Sequence, residues 1–286
     1  MSRLLGAGLC AGVLALSALT GCAQPQAQGT HVVASFYPLA YVTARIGGSH
    51  VDVTDLTRPG QEPHDLELTV QQTADVADAS LVVYAKGFQA AVDDAVSSTS
   101  PAHVAEVSGA AGIRADDPHF WLDPQRLSRV AAQVEKGLAE ADPAHRAAFE
   151  ANLAGLQRDL AKVDQEYRRG LSTCATRTMV VSHDAFSYLG KYGLSFAAIN
   201  GRSPDAEPSP ARLAQLRQLI QEDHLSTVFV EPLASPASGQ TLADSLGIRT
   251  AVLDPIEGLT TAEKGSDYLD LMRRNLDALR SAGRCS

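Results

Sequence analysis

Between residues 32 and 107, short apolar runs rich in β-branched residues alternate with stretches whose apolar positions recur at helical spacing. The runs at 32–36, 51–56, 81–84 and 103–107 predict strands, and 39–46, 70–79 and 90–97 predict helices between them. Thr69 followed by Gln72 is a capping-box pattern at the start of the second helix. Such βαβ alternation implies a parallel sheet. The pattern then changes. Residues 124–141 predict a single helix, and Asp142-Pro143 restarts another that runs to about Gly170, with Phe149, Leu153, Leu156, Leu160 and Val163 on one face. At 1.5 Å per residue this second helix is roughly 40 Å long, enough to bridge two domains as a rigid connector. After it the βα pattern resumes, with strands at 178–182, 194–200, 227–231 and 249–253 and helices at 185–192, 210–222, 239–246 and 264–281. Ser209-Pro210 is a cap followed by a first-turn proline. The expected fold class is therefore α/β, with two lobes, each a parallel four-stranded sheet flanked by helices, joined by a long rigid helix. The boundaries are 31–123 for the first lobe, 124–170 for the connecting helices and 171–286 for the second lobe. No sequence repeat relates the two halves.

Ahead of this pattern stands a segment of another kind. Arg3 precedes an apolar run at 4–19, which is short for a spanning helix and carries signal-peptide flanks. It ends in Leu19-Thr20-Gly21-Cys22, which resembles a bacterial lipobox, in which cleavage before the cysteine leaves Cys22 to carry lipid. An ordinary signal peptide with an incidental cysteine is the alternative. Residues 24–29 are polar and uncharged and cannot bury a core. The expectation is a lipoprotein signal peptide at 1–21, a tether at 22–30, and a chain held by lipid at the extracytoplasmic face of the cell membrane.

Charge narrows the partners. The chain has 24 basic and 33 acidic residues, and loss of Arg3 with the leader leaves a net of −10. That disfavours nucleic acid or an anionic membrane surface and suits a cation. With Cys22 acylated, Cys174 and Cys285 remain as an even pair in an oxidising compartment, where a disulfide between them is expected.

The candidate chemistry lies on loops that follow strands, where parallel α/β sheets bind their ligands. His64 follows the second strand, His119 the fourth, and His183 the first strand of the second half. Glu231 follows the third strand of that half and Asp254 the fourth. Two imidazoles from one lobe, with one imidazole and one or two carboxylates from the other, would make a metal site with three nitrogens and one oxygen, assembled between lobes. Asp254 is the expected fourth ligand, with Glu231 or water as alternatives. Glu231 is read as an acceptor that orients a histidine. Asp123, ahead of Pro124, is read as a helix cap. His31, His50, His103, His145 and His224 sit at strand starts, within helices or at a helix end and receive no role.

The ordered set Ser35-Phe36-Tyr37-Pro38, Pro63-His64-Asp65, 117–124 (DPHFWLDP), 182–186 (SHDAF), 203–210 (SPDAEPSP) and Leu253-Asp254-Pro255 resembles the zinc and manganese receptors among the solute-binding proteins of bacterial ABC transporters. The resemblance covers nearly all of the chain beyond the tether. It implies His64, His119, His183 and Asp254 as ligands, two α/β lobes joined by a long helix, and zinc rather than manganese, because the position of His183 tends to be glutamate in manganese receptors. It also implies an ABC permease as partner, no catalysis, and a monomer. The loop at 108–117 lacks the histidine-rich insertion of many zinc members. A metal-dependent surface adhesin and a zinc hydrolase are the rival functions. The hydrolase would need an open coordination position, and the chain has no His-Glu-x-x-His helix.

Overall fold

The computed structural model describes residues 29–114 and 117–286, so the expected signal peptide and Cys22 lie outside the described residues. The first half contains β1 (Thr30–Ala34), α1 (Tyr37–Gly47), β2 (Val51–Asp55), α2 (Val70–Asp78), β3 (Leu81–Tyr84), α3 (Ala90–Thr99), β4 (Val104–Glu106) and the short α4 (Ser108–Ala111). Its four strands pair in parallel in the order β2-β1-β3-β4. The second half contains β5 (Thr178–Val181), β6 (Ser195–Ala198), α7 (Pro210–Glu222), β7 (Thr227–Val230), α8 (Ala237–Leu246), β8 (Arg249–Val252) and α9 (Tyr268–Gly283). Its sheet, also parallel, has the order β6-β5-β7-β8, so the two lobes share one strand order although no sequence repeat relates them. Between them run α5 (Pro124–Ala141) and α6 (Arg146–Gly170).

Local chemistry sets these limits. The Thr69 hydroxyl accepts from the Gln72 amide, and the Gln72 side chain reaches back to the Thr69 amide, closing the capping box of α2. Asp123 caps α5 by accepting from the Gln125 amide, with Pro124 at the first helical position. Two stretches differ from expectation. Residues Phe186–Tyr192 form a 3-10 helix, closed by Gly193 at φ 84°. The last helix starts at Tyr268 rather than 264, because the Asp267 side chain takes the Leu269 amide, while Thr260 caps a separate 3-10 turn at Thr261–Glu263.

One apolar core runs through both lobes, joining Val32, Phe36, Phe120 and Trp121 of the first half to Tyr167 of α6 and to Leu253, Ile256 and Tyr268 of the second. Its polar atoms are satisfied across the boundary. Trp121 Nε1 donates to the Pro255 carbonyl at 2.7 Å, and the Tyr167 hydroxyl donates to the Met272 carbonyl at 2.7 Å. A smaller core fills the other face of each sheet, around Val33 and Val82 in one lobe and Val180 and Val228 in the other. A disulfide joins Cys174, just before β5, to Cys285, just after α9.

Candidate metal centre

Three loops and a fourth bring their side chains to one point. His64 lies in the loop between β2 and α2. His119 directly precedes the 3-10 turn Phe120–Leu122, whose three side chains are wholly buried and so fix the backbone on which the imidazole stands. His183 follows β5. Glu257 lies beyond β8 in a loop held to the His64 loop by a bond from the Gly60 amide to the Leu259 carbonyl at 2.7 Å. One ligating atom from each of His64, His119, His183 and Glu257 lies within 4.8 Å of every other.

The Nε2 atoms point inward. His119 and His183 bring theirs to 3.3 Å. Glu257 Oε2 is 2.9 Å from His64 Nε2 and 3.8 Å from His119 Nε2, and its Oε1 is 3.8 Å from His183 Nε2. The outward nitrogens of His119 and His183 are already committed. His119 Nδ1 lies 2.9 Å from Asp117 Oδ1, and His183 Nδ1 lies 2.6 Å from Glu231 Oε2. A carboxylate acceptor at Nδ1 fixes that nitrogen as the proton carrier, so in the neutral rings both Nε2 atoms present lone pairs. Two lone pairs at 3.3 Å repel unless a cation lies beside them. His64 Nε2 and Glu257 Oε2, though close, are misaligned for a hydrogen bond, and both are buried without a partner. Orphaned buried donors and acceptors of this kind are costly, and a metal ion would satisfy all of them at once. The residues thus fit a divalent cation of the borderline-soft class.

The nearby carboxylates favour positive charge at this point. Burial pushes the Glu257 carboxyl up, but the His64 contact and the charges of the three imidazoles outweigh it and hold Glu257 below its ordinary value. Burial lowers His64 and His183, but Glu257 in the first case and Glu231 in the second reverse the shift, so both rings sit above the usual histidine range. His119 is held below that range by burial, which its bond to Asp117 only partly offsets. Glu62, whose side chain accepts from the His64 amide, is pushed up to about 7 by burial and by Glu257.

Asp254, the expected fourth ligand, lies outside this cluster among the described residues, and the carboxylate beside the three imidazoles is that of Glu257, three residues on. The Asp254 carboxylate folds back on its own loop, where Oδ1 accepts from the Ile256 amide at 2.7 Å, and burial pushes it up to about 7. Its backbone is clamped by Asn275, which accepts from the Asp254 amide and donates to the Asp254 carbonyl. This is the usual occupation of an aspartate at a turn. It shapes the loop so that Ile256 adopts a left-handed φ of 56°, a rare conformation for a β-branched residue, and Glu257 faces the imidazoles. Sequence reading also passed over Asp117, the partner of His119. Both omissions were carboxylates on strand-end loops, and such a loop was itself the available signal. Glu231 stands against His183, as an acceptor for both its ring and its amide. Asp123, the α5 cap, lies outside the group.

The family model for ZnuA, the periplasmic component A of zinc-uptake complexes, matches residues 32–282. The chain belongs to this family. Among curated family members, zinc-binding protein AdcA of Streptococcus pyogenes serotype M3 is 34% identical over 297 residues, covering 92% of this chain but 58% of AdcA, so the chain spans little more than half of that relative. The high-affinity zinc uptake system protein ZnuA of Bacillus subtilis is 32% identical over 291 residues, covering 93% of this chain and 91% of that protein. Of solved structures, the Zn(II)-bound ZnuA-like domain of Streptococcus pneumoniae AdcA superposes with a TM-score of 0.78 at 31% identity, over 89% of this chain and 99% of that domain. The laminin-binding protein Lmb of Streptococcus agalactiae, described as a bifunctional protein with adhesin and metal-transporting activity, superposes with a TM-score of 0.82 at 30% identity, over 89% and 99%. The two-lobe fold with its connecting helix is the fold of this family.

Proposed function

We propose that this protein is the extracytoplasmic solute-binding component of a zinc ABC importer. It holds Zn²⁺ between its lobes on Nε2 of His64, His119 and His183 and on the Glu257 carboxylate, then passes the ion to the permease. The observation that carries this reading is the inward convergence of the three imidazoles and the Glu257 carboxylate, with two of the rings already bound through Nδ1 to a carboxylate so that Nε2 carries the lone pair. Asp117 and Glu231 would set ring orientation and raise ligand basicity, as carboxylates behind metal-bound histidines do. Three imidazoles and one carboxylate favour zinc over manganese, which prefers oxygen. All four tetrahedral positions are taken by protein, so the metal would have no open position for a hydrolytic water, and the role is capture rather than catalysis. On this reading the protein is a monomer tethered through lipid on Cys22, and the Leu19-Thr20-Gly21-Cys22 motif is what supports the tether and the extracytoplasmic location. An adhesin role is the second reading; the likeness to Lmb is what favours it.

The test is elemental analysis and zinc titration of the purified mature protein, with growth of a deletion strain in chelated medium. One tightly held zinc per chain and growth rescued by added zinc are expected. Absence of zinc binding would refute the importer reading, and normal growth of the deletion strain in chelated medium would favour the adhesin.

A further inference from the structure

The loop after β6 carries Arg202, whose guanidinium lies between two carboxylates, one from each lobe. Its Nε is 3.2 Å from Asp184 Oδ2, and its Nη1 is 3.2 Å from Asp117 Oδ1. Asp184 directly follows His183, and its amide donates to the Gly201 carbonyl at 2.9 Å, so Arg202 and Asp184 form one unit of the second lobe. Asp117 belongs to the first lobe and is the acceptor that holds the His119 ring. The second lobe grips Asp117 at two further points, because the Ser187 hydroxyl donates to Oδ2 and the Tyr188 hydroxyl donates to the backbone carbonyl at 2.9 Å. Of these three grips, Arg202 alone supplies a full charge. Its Nη1 is shut off from solvent and has no aligned hydrogen bond, so its hold on Asp117 is a charge contact rather than a directed bond. The guanidinium as a whole is partly exposed, at 41% of the side chain, and stands at the outer edge of the metal centre rather than within it.

We propose that Arg202 is a latch, a positioning residue that holds the Asp117–His119 loop against the His183–Asp184 loop and so sets how fast zinc leaves. Release requires His119 and His183 to part. Asp117, which holds the His119 ring, and Asp184, the residue after His183, cannot separate without breaking one of the two Arg202 contacts. The latch touches no metal ligand, so its removal leaves the four donors in place and changes the rate of opening. Because it is partly exposed, its strength falls with added salt, and its effect is that of a single modest ion pair. This inference rests on zinc being held by His119 and His183.

The test measures zinc dissociation from the full mature protein by stopped-flow trapping with excess chelator, at low and at high ionic strength. The variants are Arg202→Gln, Arg202→Lys, Asp184→Asn and the Arg202→Gln/Asp184→Asn double variant. Arg202→Gln is expected to speed dissociation by about fivefold at low salt, the range open to a partly exposed ion pair, and to lose most of the salt dependence of the wild type. Arg202→Lys should restore part of the slow release, which a merely structural role for the guanidinium would not predict. The double variant should resemble Arg202→Gln alone, since the two residues act as one unit. Wild-type dissociation in Arg202→Gln, or faster dissociation with the salt slope unchanged, would overturn the latch. Should Arg202→Gln fail to fold, Asp184→Asn carries the same prediction through the latch's anchor. Failure of the wild type to bind zinc would instead overturn the functional reading.

Discussion

At the scale of single residues, the assignment of the proposed fourth ligand turns on how two nearby carboxylates spend their oxygens. Asp254 uses Oδ1 to close its own turn, whereas Glu257 has Oε2 without a hydrogen-bond partner beside three imidazoles. Glu257→Gln is therefore expected to weaken zinc binding at least tenfold, about 1.4 kcal/mol. Asp254→Asn keeps an oxygen for the Ile256 amide and should leave affinity within about threefold, since such a change removes no ligand. Competition titration of both variants decides; equal losses would return Asp254 to the site. The imidazoles also set the pH response. Each must be deprotonated to bind metal, so protons and zinc compete and affinity falls as pH falls. His64 and His183 are raised above the ordinary histidine value, so the decline should already be under way near neutrality and steepen below about 6.5. His119, which is lowered, should contribute last. Zinc titrations from pH 8 to 5 check this, and a flat profile would exclude histidine ligation.

At the scale of elements, the disulfide ties the end of α9 to the chain just before β5, closing a separation of 111 residues. In the chain-entropy model a loop of that length stabilises by about 4–5 kcal/mol. It lies by the amino-terminal end of β5, while His183 follows the carboxyl end. Replacing both Cys174 and Cys285 by Ser should lower thermal stability markedly and leave zinc affinity nearly unchanged, as measured by calorimetry and titration. A large loss of affinity would mean that α9, through Asn275 and its hold on Asp254, carries strain from the bridge to the site. Several elements are legible in the sequence alone. The α2 capping box, the Asp123-Pro124 start of α5 and the Ser209-Pro210 start of α7 are set by hydrogen bonds within four residues. The start of α9 is not, because two caps, Thr260 and Asp267, compete within eight residues and only packing decides between one helix and a turn plus a helix.

At the scale of the whole molecule, the lobes are not independent bodies on a hinge. They share a core, and a polar knot reinforces it. Lys191 of the second lobe lies 2.6 Å from Asp123 at the head of α5 and 2.9 Å from Asp164 of α6, while the Tyr192 hydroxyl donates to Asp164 at 2.7 Å. Both carboxylates are largely buried, and an uncompensated buried charge is expensive. Lys191→Met should cost about 3 kcal/mol in chemical denaturation, and a loss below about 1 kcal/mol would show that the remaining cations, Arg126 at 3.5 Å from Asp123 and Arg168 at 2.8 Å from Asp164, suffice.

The sequence by itself determined the alternation of strands and helices, the parallel sheets, the long connecting helix and the three histidines. These depend on periodicity, on caps, and on the rule that parallel strands present their carboxyl-end loops to ligands. Tertiary structure alone decided which carboxylate joins the histidines. Asp254 and Glu257 follow the same strand, and nothing local distinguishes a ligand from a turn former. The distinction is made by Asn275 from α9, by Trp121 from the other lobe on the Pro255 carbonyl, and by the Gly60–Leu259 bond, all residues distant in sequence that fix which way the loop faces. The shared strand order of the two lobes was hidden for a similar reason, since order within a sheet is set by which faces must be buried together and not by residues adjacent along the chain.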